Sequence, residues 1–137
     1  MNNYTCGNKI GSYHKWGIGN DIREILLADE TLSGVVGTNI FPVIAPEGTL
    51  GDFILYRRDK YSKTSTKMGV VEDVCEVVVT VVSDDYDSSF SIAAQVDNIL
   101  VGKHTLNSGI NVTINLVDST EMFEDNKYIQ TMLFEIK

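Results

Sequence analysis

Few residues in this chain could do chemistry, and their spacing does not bring them together. The histidines are His14 and His104, and the cysteines are Cys6 and Cys75. Cys6 and His14 could offer a pair of metal ligands, but a zinc site takes about four, and no second pair follows. Asp84, Asp85 and Asp87 could surround a divalent cation, yet they lack the glycine and closing glutamate of an EF-hand loop. Standing just ahead of a helical pattern, they suit a capping role better, because carboxylates complement the dipole at a helix N-terminus. Ser88 or Asp87 is the expected cap. Glu121, Glu124 and Asp125 form a second acidic group, expected in the turn of the last hairpin, where they keep it solvated. No Gly-x-Ser-x-Gly, phosphate-binding loop or dinucleotide fingerprint is present, and Gly17-Ile18-Gly19 only opens a helix. With no base beside a nucleophile, the chain reads as no enzyme, with no cofactor and no metal.

Composition narrows the class further. The 137 residues suit one domain with one core, and 43% hydrophobic against 22% charged residues excludes global disorder. A formal net charge of −8 argues against a nucleic-acid binder, which needs clustered Lys and Arg. That charge is uneven. Arg57, Arg58, Lys60, Lys63 and Lys67 meet only Asp59 in the segment they span, which carries +4 and leaves −12 for the rest. A basic hairpin on an acidic body can steer partners together, or can simply be a solvated tip. Two cysteines make no disulfide framework, and the first residues have no apolar signal-peptide core. The expectation is a chain kept in a reducing cytoplasm, so the Asn111-Val112-Thr113 sequon carries no weight.

The elements follow from periodicity. Residues 1–17 are polar and Gly-rich and read as a flexible N-terminal arm. From Ile18, the spacing Ile18, Ile22, Ile25 and Leu26 predicts an amphipathic helix, with Asn20 or Asp21 near its start and a stop near Asp29. Residues 31–36 add a short helical turn before Gly37, and 39–46 form an extended piece whose Pro42 belongs at a sheet edge or loop. Strands at 52–60 and 70–82 make a long hairpin about a polar connection, and a second helix covers about 88–101, with Gly102 as its stop. Strands at 110–116 and 127–137 make the last hairpin. The predicted fold is α+β: a single domain over 18–137, with a mostly antiparallel sheet of four to five strands packed against two helices.

The 70–82 run is the richest in β-branched residues, and its two faces separate by parity. One face carries Asp73, Cys75, Val77, Val79 and Val81; the other carries Glu72, Val74, Glu76, Val78, Thr80 and Val82. The last strand splits likewise, with Ile129, Thr131 and Leu133 opposed to Tyr128, Gln130, Met132, Phe134 and Ile136. Beyond Glu76 both faces of the first strand are largely apolar, and the last strand is partly apolar on both. Helices can cover one, so the other predicts self-assembly.

The order of motifs resembles a known family. Ile22-Arg-Glu-Ile-Leu-Leu-Ala-Asp29 is followed by Leu32-Ser-Gly-Val-Val-Gly37, Ile40-Phe-Pro-Val43, Ala45-Pro-Glu-Gly48 and Phe53-Ile-Leu-Tyr56. This succession, then a Val-rich strand, an Ala-rich helix and a final hairpin, resembles the tail-completion proteins of long-tailed bacteriophages and prophages. These are related to tail terminators and head–tail joining proteins. The resemblance covers residues 19–137 and excludes the arm. It implies a homo-oligomeric ring, often a hexamer, at the head-proximal end of the tail tube. The implied partners are other copies of the chain, the tail tube protein and the head–tail connector, with no membrane. The implied location is the virion tail, reached from the host cytoplasm during assembly. Placed in such a ring, Val74, Val78, Val82, Ile129 and Leu133 would form the subunit contact. The basic hairpin would reach an acidic patch on the next subunit or on the tube. The rival reading is a small ferredoxin-like module that takes a ligand or peptide at a sheet edge.

Overall fold

A computed structural model of the chain describes residues 15–65, 68, 69 and 71–137. Residues 1–14 of the expected arm, with Cys6 and His14, and Lys67 of the basic hairpin lie outside the described residues.

Helix α1 (Ile18–Leu27) forms where Ile18, Ile22 and Leu26 recur every fourth residue, and all three are buried. It starts at Ile18, where the apolar spacing begins. Gly17 is its cap, with no side-chain bond. Asp29 then starts α2 (Glu30–Val36) by accepting the Leu32 amide at 2.9 Å, and Gly37 at φ +60° ends it. Strand β1 (Ile40–Pro42) follows. The chain leaves β1 through Val43 at φ +64°, with the Ile44 amide donating to the Pro42 carbonyl at 2.6 Å, a γ-turn about a β-branched residue.

Strands β2 (Phe53–Ser65) and β3 (Val71–Ser83) make the long hairpin, with Asp59 as an extra residue in the β2 ladder. Helix α3 (Tyr86–Leu100) is capped by Asp85, which accepts the Ser88 amide at 2.9 Å, so neither Ser88 nor Asp87 is the cap. Gly102, at φ +129°, starts β4 (Gly102–Thr105) directly after the helix. The last hairpin pairs β5 (Asn111–Glu124) with β6 (Lys127–Ile136) about a two-residue turn. Asp125 at φ +52° and Asn126 at φ +61° give that turn the left-handed pair that matches strand twist.

Among the described residues, six strands form one curled sheet in the order β1-β2-β3-β6-β5-β4. Every pair is antiparallel except β1 with β2. The α+β class and the mostly antiparallel sheet are as expected; the numbers of strands and helices are higher. Three helices replace two because Asp29 separates α1 from α2. Six strands replace four to five because β1 and β4 both enter the sheet at its borders. Strand β5 also runs on to Glu124, so Glu121 and Glu124 sit in the strand and only Asp125 in the turn.

The three helices among the described residues pack on one face. Cys75, Val77, Val79 and Val81 of β3 join Met132, Phe134 and Ile136 of β6 beneath Ile18, Ile22, Ile92, Val96 and Leu100. Burial of each such aliphatic or aromatic side chain contributes about 1.5–3 kcal/mol. The helix–sheet approach is close at Gly19, where a Cβ would stand 2.9 Å from the Tyr56 ring.

Candidate assembly surface

The parity argument about β3 and β6 places five residues on one face, and the ladder carries them there. Val78 stands opposite Leu133 of β6, and Val82 opposite Ile129. Arg57 and Phe53 of β2 flank these two rows on the other side, and Val74 extends the face along the hairpin. This is the face away from the helices, and Val78 and Val82 lie outside the helix-covered core cluster. They are not equally available. Val74 is 45% exposed, whereas Val78 and Val82 are only 9% and 7% exposed. Ile129 and Leu133 are half-buried. The exposed part of the strip lies toward its ends, at Val74 and Met122.

The basic residues do not form one patch. Arg57 pairs with Val78 and Lys60 with Glu76, which sets both on the apolar face, while Arg58 pairs with Val77 and Lys63 with Asp73 on the helix side. Arg57 also bonds Asp59 at 2.8 Å. Arg58 lies 4.4 Å above the Trp16 ring and donates to the Trp16 carbonyl at 2.9 Å. Lys63 lies 5.6 Å from the Tyr61 ring. Lys60 and Lys63 are exposed cations with no carboxylate ion pair among the described residues.

Residues 15–17, counted with the arm by composition, dock against this hairpin. The buried Lys15 ammonium meets Asp73, and the Trp16 ring meets Tyr61 edge-on at 5.8 Å. Cys75 lies beneath, and burial pushes its thiol up to about 11, which keeps it protonated and unreactive near neutral pH.

Sequence reasoning missed an aromatic cluster at the opposite end of the sheet. Tyr86 and Phe90 of α3 meet Tyr128 of β6 and Phe123 of β5, with centroid distances of 4.8–5.5 Å. The Tyr86 hydroxyl donates to both Glu121 oxygens at 3.1 and 3.2 Å, and this carboxylate holds the phenol above its usual range. Gln130 joins Glu121 to Ser89. Only the Tyr128–Phe123 hairpin pairing was available as a signal, and it required the true length of β5.

The acidic turns are engaged in structural roles. Asp84 pairs with Lys127 and Asp85 caps α3. Among the described residues no group of three His, Cys, Asp or Glu side chains converges on a metal position. His104 Nε2 lies 2.8 Å from the Leu100 carbonyl, beside an open groove of about 460 Å³ along β4 and β5.

No protein-family model and no curated protein matches this sequence. Solved structures do share its fold. A chain from the virion of a native gene transfer agent particle aligns with TM-score 0.75 at 20% identity, covering 90% of this chain and 96% of that one. A second solved chain aligns with TM-score 0.55 at 11% identity, covering 86% of this chain and 95% of its own length.

Proposed function

We propose that this chain is a structural subunit of a phage-like particle, of the tail-completion kind, with no catalytic role. It closes head to tail into a ring at the head-proximal end of the tail tube, stops tube growth and presents a surface to the head connector. Its location is the virion tail, which it joins from the host cytoplasm. The observation that carries this reading is the likeness to a gene transfer agent virion chain, which spans nearly all of both molecules. Two features support it. The sheet has an apolar strip that the helices leave uncovered, and the exposed Lys60 and Lys63 stand on an otherwise acidic body. In the ring, Val74, Val78, Val82, Ile129 and Leu133 belong to the surface shared between copies, with Val74 having most area left to bury.

Light scattering of the purified chain, alone and with a tail-tube protein, tests the reading. An oligomer of defined size is expected, and Val74→Asp should shift it toward monomer while its circular dichroism stays unchanged. A wild-type chain that remains monomeric at high concentration with and without the tube protein retires the ring.

A further inference from the structure

Both long hairpins carry main-chain borders that no strand covers among the described residues. β1 pairs only with residues 54–56 of β2, so residues 57–65 have β3 on one side and no strand on the other. β4 pairs only with residues 111–114 of β5, so residues 115–124 have β6 on one side and no strand on the other. Unpaired borders of this length template the addition of another strand.

The two borders fit one another. They are nearly equal in length and opposite in charge: Arg57, Arg58, Lys60 and Lys63 with Asp59 on β2, against Asp118, Glu121 and Glu124 with no cation on β5. The antiparallel ladders from β2 through β3 and β6 to β5 make β2 and β5 run in opposite directions. A second copy set beside the first therefore brings its β2 antiparallel to β5. β1 blocks the Phe53 end of β2, and β4 blocks the opposite end of the sheet at β5. The steps interlock like a lap joint.

We infer that successive copies join by strand addition, residues 57–65 of one copy pairing antiparallel with residues 115–124 of the next. The contact is head to tail and leaves the joined pair with one free border of each kind. Arg57 falls at the Glu124 end of the joint and Lys63 toward Asp118. The open part of β2 centres on Tyr61, opposite Cys75, and that of β5 on Ser119, which reaches Val79 through Met132. Each copy is thus offset along the strands by about four residues, ~14 Å. A closed sheet needs such a stagger, because it tilts its strands against the ring axis. The joint makes the apolar faces of successive copies continuous. It rests on the ring reading and deepens it.

The test uses two full-length variants, Lys60→Glu/Lys63→Glu and Asp118→Lys/Glu124→Lys, each with exposed side chains. Each alone presents like charges across the joint and is expected to lose assembly in light scattering. An equimolar mixture restores opposite charges at every contact and is expected to reassemble. Hydrogen exchange reads the main chain directly: on wild-type assembly, alternate amides in 57–65 and 115–124 should slow. Variants that assemble like wild type, or a mixture that stays monomeric, overturn the joint. An assembled wild type whose two borders exchange freely overturns it and leaves the ring standing. Borders already protected in the monomer overturn it in favour of a segment of the same chain. A wild type that never assembles removes the ring and the joint together.

Discussion

The Lys15 ammonium stands 2.6 Å from the Asp73 carboxylate, with 5% of the lysine side chain exposed and 23% of the aspartate's. One ion pair thereby ties the segment entering α1 to the far arm of the β2–β3 hairpin, 58 residues away in sequence. Removing one member leaves the other charge poorly solvated. Lys15→Met should lower stability by about 2 kcal/mol in denaturant unfolding. An unchanged midpoint would mean that the pair contributes nothing net.

Gly19 and Gly34 make opposite predictions from the same substitution. At Gly19 an added Cβ meets the buried Tyr56 ring, so Gly19→Ala should cost about 1–3 kcal/mol by overpacking, despite the better helix propensity of alanine. At Gly34 nothing lies within 4 Å, and Gly34→Ala should stabilise by about 0.5–1 kcal/mol. Thermal melts of the two variants on either side of wild type would bear this out.

The cap of α3 can be read by mutation. Asp85→Ala removes the acceptor of the Ser88 amide and should cost about 1 kcal/mol, whereas Asp87→Ala should stay within about 0.5 kcal/mol. Equal losses at the two positions would contradict the assignment.

Cys75 gives the protein an alkaline sensitivity. Its thiol stays protonated in the fold up to about 11, against 9.0 for the unfolded group. Between those values the unfolded chain releases a proton that the folded one keeps. The stability contributed by the neutral thiol is therefore fully present below pH 9 and is lost as pH rises toward 11. In a Cys6→Ser background, iodoacetamide at pH 8 should modify the denatured chain much faster than the folded one. In Cys75→Ala the alkaline decline in unfolding midpoint should be shallower.

Val74 and Val78 share a face but differ in what a charge would do there. Val78→Asp buries a carboxylate between Arg57 and Leu133 and should destabilise the monomer by about 3 kcal/mol or more. Val74→Asp should cost about 1 kcal/mol or less. Matching urea midpoints for the two would show that the strip is open along its whole length.

Period-two patterning was legible wherever a strand keeps its phase. Cys75, Val77, Val79 and Val81 went to the helices and Val74, Val78 and Val82 to the other face, as parity required. Strand β5 lost that signal because the ladder slips between Leu116 and Asp118, inserting Val117 and reversing the phase of the residues beyond it. Past the slip every residue to Glu124 is exposed, so a strand there looks like a solvated turn. β4 carried no apolar alternation in Gly102-Lys103-His104-Thr105, and its glycine read as a stop. The uncovered borders followed from those two omissions: their extent became visible only once β1, β4 and the full length of β5 were known. The aromatic cluster joins α3 to the last hairpin, a tertiary contact that local spacing does not encode.

The γ-turn at Val43 gives the sheet an unequal grip on its two flanks. A β-branched side chain resists φ +64°, and a glycine there would relieve it. The chain thus exits its three-residue parallel pairing with β2 through a strained residue, held by the Val43 amide on the Tyr56 carbonyl. That flank is held by three main-chain pairs, whereas the final hairpin joins ten pairs about a two-residue bend whose left-handed residues, Asp125 and Asn126, are not β-branched.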